Sequence, residues 1–231
     1  DRQSPMTSMN QQLGMFAKFW APGQVKTRLA ADLGEQSAAR LYRCFVTTLA
    51  NRLADIPAKR TVVFWPASSS REFRQAIGSS WQFVQQADGD LGKRMQLFFS
   101  SSSADTPNSS VVLIGSDSPT IPLVTIEQAF ANLRHSRVVL APSCDGGYYL
   151  IGVQGAPPDI FSGIAWSTPN VWQQTTERLD AALIPYVTLS PWYDIDTIDD
   201  LRRLRDELHN EQRNEACYDE LRTMVATLNI D

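Results

Sequence analysis

Apolar residues fall along this chain in two alternating rhythms. Short runs rich in β-branched and aromatic residues, Leu13–Phe19, Arg60–Trp65, Trp81–Gln85, Val111–Ile114, Arg137–Pro142 and Pro185–Leu189, read as strands. Between them apolar residues recur at three- and four-residue spacing. Ala38, Leu41, Phe45, Leu49 and Leu53 make one helical stripe over 35–53, and Ile126, Ala129, Phe130 and Leu133 make another after Pro122. Shorter helices are predicted through Phe73 to Ile77, from Leu91 to Ser100, from Pro169 with Thr168 as N-cap, from Ile198 to Leu208, and through Cys217 to Leu228. The serine-rich stretch 100–110 reads as a loop, and residues 1–12, polar and aperiodic, as a disordered or appended tail outside the fold.

Strands alternating with helices at this spacing predict an α/β fold with a mainly parallel sheet, in one domain over 13–231. One part should run the other way. Asp145-Gly146-Gly147 between two apolar runs predicts a hairpin, which makes the sheet mixed. The run Val111-Val-Leu-Ile114 has no alternation and so predicts a strand buried on both faces, ending at Gly115-Ser-Asp-Ser-Pro119. In open α/β sheets ligands bind outside that carboxyl end.

Composition narrows the chemistry. The 231 residues carry 21 basic and 25 acidic side chains, a net charge of −4, so nothing global invites nucleic acid. Apolar runs are far too short for a membrane span, and the expected location is soluble and cytoplasmic, with no signal peptide. Three scattered cysteines and two histidines exclude a disulfide framework and a His-rich metal centre. Carboxylate oxygen is plentiful, which suits Mg²⁺ or Mn²⁺.

Candidate chemistry gathers where strands end. Asp117 stands at the mouth of the central strand, where a carboxylate is costly to desolvate without a partner; capping a turn is the plainer alternative. Pro22-Gly23 turns the chain after the first strand, and Lys26 and Arg28 then offer charge to a phosphate or to solvent. Asp90 can cap a helix whose start, beside Lys93 and Arg94, can also receive an anion. Thr197 with Asp200 forms a capping box, which accounts for Asp199 and Asp200. Asp194 and Asp196 have no such explanation. Flanking Ile195 in an extended segment, they share a face, where a cation would relieve their repulsion.

Taken together, Phe16-Ala-Lys…Pro-Gly-Gln-Val-Lys-Thr-Arg-Leu29, Gly89-Asp-Leu-Gly…Arg-Met95, Gly115-Ser-Asp-Ser-Pro119, Pro142…Asp-Gly-Gly-Tyr-Tyr-Leu-Ile-Gly152, Trp166-Ser-Thr168 and Asp194-Ile-Asp-Thr…Asp-Asp-Leu201 resemble the bacterial DUF2064 family. That family is glycosyltransferase-like and related to 2-phospholactate guanylyltransferase, within the nucleotide-diphospho-sugar transferase superfamily. The resemblance runs from Leu13 to about Leu208. It implies a GT-A, Rossmann-like three-layer α/β/α sandwich, and a nucleotide-activated donor held with Mg²⁺ or Mn²⁺ while a group passes to a small-molecule acceptor. Carried over, Asp117 becomes a metal ligand with Asp196 and Asp194, and Lys26 shares catalysis with Asp117. Gly23, Lys26, Thr27, Arg28, Asp90 and Arg94 bind nucleotide and phosphate, while Asp145, Gly146, Gly147, Tyr148 and Trp166 border the acceptor or sugar. The chain departs from the Asp-x-Asp of such glycosyltransferases, having Asp117-Ser118-Pro119. Glycosyl transfer, nucleotidyl transfer with release of pyrophosphate, and nucleotide binding without catalysis all stay open.

Overall fold

The computed structural model describes residues 10–106, 108–209 and 215–230. In chain order the elements are β1 (Gln11–Lys18), α1 (Thr27–Leu33), α2 (Glu35–Arg52), β2 (Lys59–Trp65), α3 (Ser70–Ile77), β3 (Gln82–Gln85), α4 (Leu91–Asp105), β4 (Ser110–Ile114), α5 (Leu123–Asn132), β5 (Val138–Pro142), β6 (Tyr148–Gln154), α6 (Val171–Ala181), β7 (Tyr186–Thr188), α7 (Ile198–His209) and α8 (Asp219–Ala226). Among the described residues they build a seven-stranded sheet in the order β3-β2-β1-β4-β6-β5-β7.

The double burial expected of the central strand is observed. Val112 and Ile114 join the apolar layer with α2, α5, α7 and α8, whereas Val111 and Leu113 join the layer with α4 and α6. Each such fully buried side chain contributes about 1.5–3 kcal/mol relative to exposure, so β4 is pinned from both faces. Helices therefore cover both sides of the sheet, giving three α/β/α layers. Gly14 of β1 permits the close approach of α4, because a Cβ there would collide with the Phe98 ring.

The predicted hairpin is also present, and it reverses one strand. β6 pairs antiparallel with β5 and, on its other edge, with β4, while β1, β2, β3 and β4 run parallel. β7 lies parallel beside β5. Inserting β6 between β4 and β5 buries its central residues on both edges and faces, which is why Tyr149–Val153 carry no polar alternation.

Three boundaries differ from the sequence expectation. β1 begins at Gln11, two residues inside the expected tail, and residues 1–9 of that tail lie outside the described residues. Buried Gln12 anchors the strand start by donating from Nε2 to the Ser102 carbonyl at 3.0 Å. α4 runs on through the serines expected to form a loop, to Asp105. Ser101 and Ser103 turn their hydroxyls back onto the carbonyls of Phe98 and Ser100 at 3.0 Å each, so they satisfy themselves within the helix. α6 starts at Val171 with Asn170 as its N-cap; Thr168 instead bonds Ala165 and the Asn170 amide within the preceding turn.

Candidate active site

A cleft of about 500 Å³ opens at the carboxyl ends of β1 and β4 and the amino end of the antiparallel β6. Its floor is the end of β4, and its rims are the loop after β1 and the first turn of α4. Five separate stretches bring charged groups to it. Lys18 is at the end of β1, and Lys26, Thr27 and Arg28 sit where α1 begins. Arg94 comes from α4, while Asp117, Asp194 and Asp196 come from two loops distant in sequence.

Asp117 is placed by its neighbours rather than by its own side chain. Tyr42 on α2 and Ser116 share a 2.6 Å hydroxyl bond, and the same Tyr42 oxygen accepts from the Lys18 amide at 3.1 Å, tying β1 to β4. The Asp117 carbonyl accepts from the Ile195 amide at 2.9 Å. That bond, with the bridge Ser143 to Trp192, lays residues 192–196 across the strand ends. This is how Asp194 and Asp196 arrive beside Asp117. The capping box after them is present, Thr197 and Asp200 bonding each other's amides at 2.8 and 3.3 Å.

Lys26 occupies the middle of the arrangement. Its ammonium, only 3% exposed, contacts Asp117 Oδ1 and bonds Asp196 Oδ1 at 2.9 Å, beside the rings of Tyr42 and Phe45. Burial opposes the charge, yet the two carboxylates outweigh it and hold the lysine pKa above its ordinary value. Its backbone is left-handed, φ 48° and ψ 46°, an unfavourable region for a non-glycine residue that the site retains. Tyr42 is pushed up to about 12 by burial and by the charge of Asp117.

Asp194 is in a different state. Burial first, then the charge of Asp117, lifts its carboxyl to about 7. The Ser118 hydroxyl lies 2.6 Å from Asp194 Oδ1 and 2.9 Å from the Tyr193 carbonyl. A hydroxyl has one proton to donate, so both bonds form together when Asp194 is protonated and donates to Ser118.

The expected three-carboxylate metal cage is not assembled: among the described residues no group of three or more His, Cys, Asp or Glu side chains is arranged to hold a metal ion. Asp194 is turned to Ser118, and what remains is a pair, Asp117 and Asp196, converging on one cation. Mg²⁺ is commonly held by one or two carboxylates and completed by substrate phosphates, so the donor set fits a metal that arrives with a nucleotide.

The remaining expected site residues divide between cleft and scaffold. Thr27, Arg28 and Arg94 line the cleft, Arg94 steered by Nε to the Gly89 carbonyl at 2.9 Å and Nη1 to Gln86 Oε1 at 3.3 Å. Gly23, at φ 75°, shapes the loop and faces Glu35. Asp90 caps α4 by accepting from the Lys93 amide at 2.8 Å, which fills the helix start that might have taken an anion with a carboxylate of its own. Asp145 accepts from the Gly147 amide at 3.0 Å and from the Ser143 hydroxyl, holding the hairpin turn. Gly146 meets the Pro169 backbone. Tyr148 lines the cleft with its ring, whereas Trp166 packs edge-on to Tyr148 at 6.4 Å and against Gly92 behind the first turn of α4.

Sequence reasoning missed Tyr42, Ser116, Ser118 and Gln86. The serines flank Asp117, Ser116 bonded to Tyr42 and Ser118 to Asp194, and that Ser-Asp-Ser spacing was available as a signal. Tyr42 is one more apolar-looking position on α2, and nothing in its spacing marks it.

The model of the DUF2064 family, described as an uncharacterized protein conserved in bacteria, matches residues 48–168. A candidate nucleotide-diphospho-sugar transferase from Desulfovibrio desulfuricans G20 is 34% identical, with 94% of this chain and 97% of that one covered and a TM-score of 0.86. Two remoter structures share the fold. They are CMP:2-keto-3-deoxy-manno-octonic acid synthetase complexed with CTP, 14% identical over 86% of this chain and 98% of the other with TM-score 0.50, and the inositol-1-phosphate CTP transferase from T. maritima, 12% identical over 95% and 97% with TM-score 0.52. A search of curated proteins finds no match.

Proposed function

This chain belongs to the DUF2064 family, and from that premise we propose that it is a transferase that takes a nucleotide-activated donor, a nucleoside diphosphate sugar, and passes the sugar to a small acceptor. One observation carries the reading: the Lys26 ammonium set between Asp117 and Asp196 at the open end of the sheet, with Lys18, Arg28 and Arg94 around the same cleft. Four cations against three acids, one of them holding its proton more tightly than an ordinary carboxyl, make a cleft that welcomes phosphate.

Asp117 and Asp196 would hold Mg²⁺ or Mn²⁺ together with the donor phosphates, and the ion supplies electrophilic activation. Arg28 and Arg94 draw the phosphates in. Lys26 then offsets charge that grows on the phosphate oxygens as the donor bond breaks, a preorganised contribution because its ammonium is already buried and desolvated. The ring of Tyr148 with Leu113 and Ile151 forms an apolar wall that excludes water from the acceptor side. An acceptor oxygen attacks the anomeric carbon and the nucleoside diphosphate leaves.

A second reading has its own support. The lysine delivered by a cationic loop after β1, where an Asp-x-Asp is lacking, suits attack on the α-phosphorus of a nucleoside triphosphate with release of pyrophosphate. Products separate the two. A thermal-shift panel of nucleoside triphosphates and nucleotide sugars, with and without Mg²⁺ or Mn²⁺, is expected to give a metal-dependent rise with one nucleotide class that Asp117→Ala abolishes. Assay of the responding donor then reports nucleoside diphosphate or pyrophosphate. A stable, folded protein with no response to any member of the panel contradicts both readings.

A further inference from the structure

Among the described residues the side chain of Asp117 has the Lys26 ammonium as its one hydrogen-bonding or ion-pair partner, so its aim depends on the backbone of 115–121. That backbone is held from behind by an arginine outside the cleft. Arg52, in the last turn of α2 and only 8% exposed, donates from one Nη1 to the carbonyls of Pro119 and Ile121, each at 2.9 Å. Its guanidinium also lies 4.9 Å from the centre of the Tyr218 ring, which is fully buried at the foot of α8. Burying a guanidinium is costly, and a helix end packed on a loop does not require one when apolar side chains would serve. Among the described residues neither carbonyl accepts from a backbone amide, and the Ile121 amide itself closes a turn on the Ser118 carbonyl at 3.2 Å.

We propose that Arg52 is a positioning residue that fixes the 115–121 loop so that Asp117 meets Lys26 and Asp196, with Tyr218 of the C-terminal segment as its cover. The inference rests on the reading of Asp117 as part of the active site. It links residues 215–230, none of which lines the cleft, to the geometry of the cleft's central acid. Arg52 bears on two backbone carbonyls, and the signal passes along the loop to the Asp117 carbonyl and its bond from the Ile195 amide.

Hydrogen–deuterium exchange on the full chain tests the link. In Arg52→Met the amides of Ile121 and Ile195 should exchange about tenfold faster or more, while the Trp192 amide, bonded to Pro142, stays within twofold of wild type. Arg52→Lys, which keeps charge and donors, should lie between. Tyr218→Leu should shift the same two amides by a smaller factor. Mn²⁺ affinity, followed by electron paramagnetic resonance, should fall about tenfold in Arg52→Met. Arg43→Ala, which cuts an exposed pair with Glu220 between α2 and α8, should leave it unchanged. Wild-type exchange at Ile121 and Ile195 in a folded Arg52→Met overturns the proposal. If that variant does not fold, wild-type exchange in Arg52→Lys does so. Failure of the wild-type protein itself to bind Mn²⁺ with any nucleotide counts against the transferase reading and leaves the exchange result to decide on Arg52.

Discussion

Two aspartates follow strands of the same sheet that β6 separates, each within two residues of a serine and a glycine, and they serve opposite ends. Asp145, in the turn between β5 and β6, spends one carboxylate oxygen on its own turn, accepting from Ser143 and the Gly147 amide. Asp117, after β4, spends nothing on its turn. Tyr42 holds the adjacent Ser116, the Ile195 amide holds the Asp117 carbonyl, and the side chain is left to a buried lysine. An aspartate at a strand end becomes available for chemistry when other groups do the work of its loop.

The contrast can be broken in order of effect. Asp117→Asn should lower turnover by about 10³-fold and also lower the melting temperature, because an amide keeps the loop but leaves the buried Lys26 ammonium with Asp196 as its one acid. Steady-state assay with the donor found by thermal shift, beside calorimetry, checks both halves. Asp145→Asn should spare turnover to within a few-fold. A loss as large as that for Asp117 would erase the distinction.

Gly146→Ala attacks the scaffold side. At φ 89° and against the Pro169 backbone, any side chain is strained, and the expected cost is about 2–3 kcal/mol in urea unfolding. Gly23→Ala, at φ 75° and facing only the end of the Glu35 side chain, should cost about 1–2 kcal/mol.

Asp194 gives a smaller, pH-dependent signature. Its folded pKa, about 7, lies above the ordinary 3.8, so the folded state holds the proton more tightly. The stabilisation is complete below pH 4 and is lost as pH rises toward and through 7. Asp194→Asn should flatten that fall in urea midpoints measured from pH 4 to 8. Smallest is Asp90→Ala, which removes the cap of α4 and should cost about 1 kcal/mol while leaving turnover intact.

Much of the fold was legible because periodicity reports burial. The unalternated Val111–Ile114 run announced a strand covered on both faces, and Asp145-Gly146-Gly147 announced the reversal of β6. The length of α4 was hidden, since serines in a helix look like a loop until their hydroxyls are seen bonding backward. At the site, Asp117, Lys26 and Asp196 could be picked out, but not that the lysine would stand between the acids. That depends on the 192–196 segment crossing the strand ends, a tertiary event with no local mark. At Asp90 and Asp145 the sequence left a local bond and a ligand contact both open, since the two look alike there, and the hydrogen bonds show the capping and turn roles.

The lysine between two acids also bears on the order in which the protein matures. Asp196 leaves the ribosome 170 positions after Lys26, and Asp117 lies between them in the chain. Until both have arrived, an ammonium placed as Lys26 is would be stranded in an apolar setting, so the loop after β1 has no reason to close on the nascent first half. Closure of that loop over the cleft thus waits on the segment that carries Asp196.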